Sequence, residues 1–256
     1  MSKPVVIAFS NQKGGVGKTT SAVNIAACIG ALGHSVLLCD LDPQGNSTSG
    51  VGIRKKDVKY STYEALLGQC LPDAAVVKTE WKNLSVMPST MNLAGAEVDL
   101  LDVPSRERCL DKVIQGLTQK FEYIIVDCPP SLGMLTINAL TCADGVMIPM
   151  QCEYFALEGL TQLMITIKKI KKLYNRNLYI LGILITMYNS RLNLTEQVID
   201  ELKKYYADKL FSTTISRNVK LSEAPSFGTP IYYYDKYSKG SMAYMDAAKE
   251  LLNRII

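Results

Sequence analysis

Residues 10–20 read Ser-Asn-Gln-Lys-Gly-Gly-Val-Gly-Lys-Thr-Thr, a glycine-rich loop whose residue types and order suit phosphate binding. Glycines at 14, 15 and 17 let backbone N–H groups converge on phosphate oxygens without obstruction by Cβ atoms. Lys18 can bridge the outer phosphates, and the Thr19 hydroxyl is placed to ligate Mg²⁺. Two acidic stretches complete the set: Asp40-Leu-Asp42-Pro-Gln-Gly-Asn46, and Asp127 closing the run Ile124-Ile-Val-Asp127. Hydrolysis of a nucleoside triphosphate needs charge neutralisation and an in-line water, with little covalent work for the protein. Lys18 and a metal on Thr19 supply the positive field, and Asp127 would hold that metal through its water shell. A strand-terminal turn residue is the plainer reading of Asp127. Asp40 and Asp42 lie two residues apart, so an extended chain points them to opposite sides and gives them different roles.

The elements that must position these groups are legible from periodicity. The loop follows the apolar run Val5–Phe9 and precedes a helical pattern with Ala22, Ile25, Ala26 and Ile29 on one face, the context a phosphate loop requires. Short β-rich runs then alternate with helical patterns, which predicts parallel βαβ units and a doubly wound, mainly parallel sheet with helices on both faces. Strands are expected at 4–9, 35–39, 84–88, 122–127, 145–149 and 178–185, with a short one near 230–233. Helices are expected at 18–32, 61–67, 106–119, 132–142, 157–174, 192–206 and 240–254. The stretches at 10–20, 40–46 and 127–131 all follow strands, so they converge on the carboxyl edge where such sheets bind ligands.

The loop departs from the common Gly-x-x-x-x-Gly-Lys-Thr pattern by carrying Lys13 immediately before its glycine pair. Lys13-Gly-Gly-Val-Gly-Lys18-Thr-Thr resembles the deviant Walker A loop of the ParA/MinD superfamily of ATPases. The segments 40–46 and 124–130 resemble its acidic element and Walker B strand. Arg217-Asn-Val-Lys-Leu-Ser-Glu-Ala-Pro225 is similar to a late segment of the small chromosomal ParA proteins, often termed Soj. The resemblance runs from residue 4 to about 250. It implies one P-loop ATPase domain over 1–256, without the N-terminal helix-turn-helix of larger ParA proteins, with ATP and Mg²⁺ as cofactors.

The resemblance also implies roles. Asp42 would position the attacking water, and Asp40 would join the metal's outer shell; capping of the turn at Pro43 is the alternative for either. Lys13 has no evident task in its own subunit, so it would reach a partner's nucleotide across a two-fold axis and act in catalysis with Lys18 and Asp42. Nucleotide contacts would span Lys13, Gly14, Gly15, Val16, Gly17, Lys18, Thr19 and Thr20, with Pro225, and with Asn189 at the base. Asn189 can pair with adenine through its amide or serve as a turn residue. Ser216 stands where the family has proline. Arg191 and Lys220 match positions that touch DNA phosphates, with Arg217, Lys236 and Lys239 as further candidates and ordinary solvated surface as the alternative for each. The implied partners are a second copy of the chain bound with ATP, non-specific double-stranded DNA, and a ParB-like centromere-binding protein.

Bulk properties fit a reduced, cytoplasmic compartment, and the resemblance implies association with the nucleoid. The chain has 256 residues, 48% hydrophobic and 20% charged, with a net charge of +4, which a polyanion partner tolerates but does not require. Seven cysteines form no C-x-x-C pair and read as small core residues. The start leads straight into a strand with no signal peptide, and no apolar stretch approaches the ~20 residues needed to span a bilayer. A MinD-like membrane ATPase is the alternative function, and it requires a basic amphipathic tail. The stripe Leu251, Leu252, Ile255 and Ile256 is narrow and reads as docked on the domain. The run Lys168–Lys172 lies opposite Leu160, Leu163, Met164 and Ile167 on one helix and reads as a solvated face.

Overall fold

The computed structural model describes residues 3–255. Its strands are β1 (Val5–Phe9), β2 (Val36–Asp40), β3 (Val77–Lys78), β4 (Leu84–Met87), β5 (Tyr123–Asp127), β6 (Gly145–Gln151) and β7 (Tyr179–Thr186). They form one sheet in the order β3-β4-β2-β5-β1-β6-β7, parallel throughout except for β3, which runs antiparallel beside β4 at the edge. The helices are α1 (Lys18–Ala31), α2 (Asn46–Gly50), α3 (Thr62–Leu66), α4 (Ala96–Asp99), α5 (Cys109–Gln115) and α6 (Met134–Cys142). They continue with α7 (Ala156–Leu173), α8 (Asn193–Tyr206), α9 (Val219–Glu223), α10 (Ile231–Tyr234) and α11 (Lys239–Arg254).

Alternation along the strands feeds two cores. Val6, Ala8, Leu37, Cys39, Ile124 and Val126 face the layer of α3 and α5–α8, whereas Ile7, Phe9, Val36, Leu38 and Ile125 face α1 and α11. Burial on both faces is why these strands read as continuous apolar runs. In α11, Tyr244, Ala247, Ala248 and Leu251 are buried against this second core, with Leu252 and Ile255 packed beside them. The C-terminal stripe therefore docks on the fold as expected; its last member, Ile256, lies outside the described residues. Lys168, Lys169, Lys171 and Lys172 are exposed on α7, while Leu160, Leu163 and Ile167 are buried.

Two expectations need correction. Residues 230–233 are not a strand: Ile231–Tyr234 form α10, which starts at Pro230 and has its first N–H bound by Asn24 Oδ1 at 2.7 Å. The tyrosines gave the segment a strand-like composition, but their rings are occupied by tertiary stacking, Tyr233 on Trp81 and Tyr234 on Phe227. The helix expected at 106–119 is shorter, a 3₁₀ turn at Arg106–Arg108 followed by α5.

The sheet order does the positioning. β2, β5 and β1 are neighbours, and the register sets Asp127 opposite both Phe9 and Asp40. The loops after β1 and β2 and the end of β5 thus meet on one edge.

Candidate active site

The phosphate loop is braced from below. Ser10 N–H bonds Met147 O at 3.1 Å, and the buried Asn11 donates its amide to Pro149 O at 2.8 Å while accepting Lys13 N–H at 3.0 Å. The Thr186 hydroxyl, from the end of β7, donates to Val16 O at 2.8 Å. Gly15 (φ 73°) and Gly17 (φ 78°) take the left-handed conformation that only glycine adopts cheaply. A Cβ on Gly14 would meet nothing within 4 Å in this chain. Lys18 opens α1 and is only 7% exposed, yet forms no ion pair among the described residues. The first turn of α1 holds no acidic residue. A buried, unpaired ammonium is costly without an anion, and here it stands at a helix N-terminus that also favours one.

Asp40 and Asp127 are fully buried. Asp40 Oδ2 accepts the Thr48 amide at 2.8 Å and the Thr48 hydroxyl at 2.7 Å, and Oδ1 accepts Asp42 N–H at 3.2 Å. Burial, and then the Asp127 charge, push Asp40 up to about 7 against these bonds. Asp127 Oδ2 accepts the Ser47 hydroxyl at 2.7 Å, while its buried Oδ1, with the Thr19 hydroxyl close by, has no donor within hydrogen-bond geometry among the described residues. Burial raises Asp127 from the ordinary 3.8 to about 6, opposed by the Ser47 and Thr19 hydroxyls and the Lys18 ammonium. The orphaned Oδ1 near Thr19 fits a hydrated divalent cation. Among the described residues no three His, Cys, Asp or Glu could hold a metal by themselves. A sparse donor set suits Mg²⁺, which keeps waters and phosphate oxygens as ligands.

Asp42 is half-buried, and its Oδ1 accepts Gln44 N–H at 2.9 Å, so it does cap the turn over Pro43. Lys13 has a partner that spacing did not reveal: its Nζ pairs with Glu153, just past β6.

Two cavities flank Thr20. One, of about 190 Å³, is lined by Gly17, Thr186, Met187, Ser216, Arg217 and Tyr244. The other, of about 430 Å³, is lined by Thr19, Asn24, Asn46, Ser49, Pro225 and Thr229. Pro225 thus borders the phosphate helix, while Asn189 lines neither cavity and instead accepts Arg191 N–H at 3.0 Å. Met187 holds a left-handed φ of 50°, strain placed at the rim of the smaller cavity. Position at the end of β7 was the signal available for Thr186 and Met187; Asn11, Ser47 and Tyr244 carried none.

The basic candidates separate. Arg217 lines the smaller cavity. Lys220 pairs with Glu223 at 3.0 Å, and Lys236 lies 5.4 Å over the Tyr232 ring. Arg191 and Lys239 are exposed, and neither forms an ion pair among the described residues.

Residues 4–180 match the family model described as an AAA domain. The sporulation initiation inhibitor protein Soj of Bacillus subtilis is 52% identical, aligned over 96% of this chain and 97% of its own. The chain belongs to the ParA/Soj family of partition ATPases. Among solved structures, a plasmid partition protein of Borrelia burgdorferi bound to AMPPNP shares 28% identity at a TM-score of 0.86, covering 99% of this chain and 100% of its own. A protein of Mycobacterium smegmatis named cobyrinic acid a,c-diamide synthase, with bound ATP analogue and magnesium, shares 37% identity at a TM-score of 0.86, covering 98% and 96%. The family match spans the phosphate loop, the acidic loop and Asp127. The cavity-lining and basic residues beyond 180 fall within the length aligned to Soj.

Proposed function

We propose that this family member is a Mg²⁺-dependent partition ATPase, one domain over 1–256, that binds non-specific DNA as an ATP-bound dimer and releases it on hydrolysis. The observation carrying this reading is that, among the described residues, the buried Lys18 forms no ion pair and the buried Asp127 Oδ1 has no donor within hydrogen-bond geometry. Triphosphate and metal supply the missing partners.

ATP binds with its phosphates on the N–H groups of Gly14–Thr20 and on Lys18, and with its base and ribose toward the cavities that flank Thr20. Thr19, with Asp127 through water, and Asp40 behind them, would hold Mg²⁺, which offsets charge on the phosphate oxygens. Asp42 orients the attacking water with the oxygen its turn does not use. Lys13 exchanges Glu153 for the nucleotide of a second protomer, which ties turnover to dimerisation, and the open face of Gly14 admits that close approach. Two weak basic patches, built on Arg191 and Lys239 with Lys220, Lys236 and Arg217 as lesser contributors, then act as one. Effective concentration makes the pair bind DNA where one patch does not. A ParB-like protein stimulates hydrolysis and resets the cycle, in the cytoplasm at the nucleoid surface. Among the described residues no helix is long and apolar enough to cross a membrane.

The test is duplex-DNA binding at one salt concentration with ATP, ADP or no nucleotide. Tight binding with ATP alone supports the reading; equal binding in all three states removes it.

A further inference from the structure

The acidic loop and the late segment touch through two glycines. Helix α2 is tied to both buried carboxylates: Thr48 to Asp40, and Ser47 to Asp127. One turn later the chain reaches Gly52, whose N–H bonds Ser49 O at 3.0 Å. Gly228 lies against it. A Cβ on Gly228 would sit 2.7 Å from Gly52 Cα and 3.2 Å from Ser49 O, and one on Gly52 would sit 3.1 Å from Gly228 O. Both residues are left-handed, with φ of 87° and 63°. A Cβ on Gly228 forces the two backbones apart, and one on Gly52 presses Gly228 O back by a few tenths of an ångström.

Gly228 closes the 3₁₀ turn Ala224–Phe227 by donating to Pro225 O at 3.0 Å. That turn follows α9 with Lys220 and leads through α10 to Lys236 and Lys239. A second tie lies alongside, where the Asn24 amide bridges Thr20 O at 2.8 Å and Ile231 N–H at 2.7 Å. The 430 Å³ cleft is walled on this side by Pro225, Ser226 and Thr229, and the 224–230 segment is anchored by its buried ends, Ala224 and Pro230, and by the contacts of Gly228 and Ile231.

We infer that the Gly52–Gly228 contact positions the late basic segment on the acidic loop, so that the state of the Asp40–Asp127 site sets DNA affinity through this joint. The inference rests on the DNA-binding reading and adds to it the contact that regulates it. Neither glycine lines the two cavities that flank Thr20, so both are positioning residues. The physical content is a coupling free energy between two sites, which is measurable as a ratio of affinities.

Duplex-DNA affinity is measured with Mg²⁺ and either a non-hydrolysable ATP analogue or ADP, for wild type, Gly52→Ala, Gly228→Ala and Gly68→Ala. Gly68 also has a positive φ, of 68°, but open space where its Cβ would be, so it controls for backbone strain alone. The analogue-to-ADP affinity ratio should fall by about tenfold in both joint variants and hold in Gly68→Ala, with basal ATP turnover retained in all. A wild-type ratio in folded Gly52→Ala or Gly228→Ala overturns the inference. Hydrogen exchange on the wild-type chain decides independently of any variant's folding. Segments 46–53 and 224–231 should change protection together between the two nucleotides, and a response confined to 46–53 overturns the joint. A wild type with no nucleotide preference for DNA would end the DNA reading, and the exchange result would still judge the contact.

Discussion

The edge where β2, β5 and β1 end and the late segment at 217–239 are both rich in charge, and they treat it in opposite ways. At the edge, charge is buried and left wanting: among the described residues Lys18 forms no ion pair and Asp127 Oδ1 has no donor within hydrogen-bond geometry. In the late segment, charge is exposed and partly self-satisfied, with Lys220 on Glu223 and Lys236 on Tyr232. The first arrangement is costly until a ligand arrives and therefore binds strongly and specifically. The second costs little, and in the proposed function it binds DNA only when two copies act together.

The sharpest way to break this contrast is at Lys13. Lys13→Ala should cut hydrolysis by on the order of 10³-fold, as loss of a cation supplied in trans does, while nucleotide binding is retained. Normal turnover by a dimeric variant, in a phosphate-release assay, would remove the trans role. Gly14→Val should likewise keep ATP but elute as a monomer.

Lys18→Ala should lose roughly thirtyfold or more in ATP affinity by calorimetry, given ~2 kcal/mol for a charge-assisted contact, without losing stability. Removing an unpaired buried ammonium relieves a cost, so a destabilised Lys18→Ala would show that Lys18 is already satisfied in the free protein.

Asp127 gives a pH signature. Its folded value is raised from 3.8 to about 6 by burial, so its contribution to stability is full below 3.8 and lost as pH rises through about 6. Without metal, Asp127→Asn should be more stable than wild type at pH 8 by on the order of 1–2 kcal/mol in urea unfolding, and the difference should vanish near pH 4. Mg²⁺–nucleotide should then stabilise the wild type more than the variant.

The smallest effects belong to the late segment. Arg191→Ala should weaken DNA binding across all sequences and lower the salt slope by about one, whereas Lys220→Ala, already paired, should do less. Equal effects would mean the Glu223 pair is no restraint.

The contrast also explains what the sequence made legible. Parallel strands buried on both faces announce themselves as apolar runs, so six of the seven strands were readable; their order was not, because β5 inserts between the consecutive β1 and β2. The phosphate loop was readable because glycine at 14, 15 and 17 and lysine at 18 answer to backbone and charge requirements that few residues meet. Residues 230–233 were misread because stacking on Trp81 and Phe227, not strand pairing, accounts for those tyrosines. The two-residue β3 was too short to leave a pattern. Glu153 as the partner of Lys13, Ser47 on Asp127 and the Gly52–Gly228 contact join positions far apart in the chain, and nothing local marks them.

The central claim is that ATP brings two of these chains together face to face. Light scattering coupled to size exclusion on an Asp42→Ala chain, held with saturating Mg²⁺ and ATP, measures it directly. The expected mass is twice the 28.2 kDa of one chain with ATP and that of one chain with ADP; a single-chain mass with ATP would contradict ATP-driven pairing.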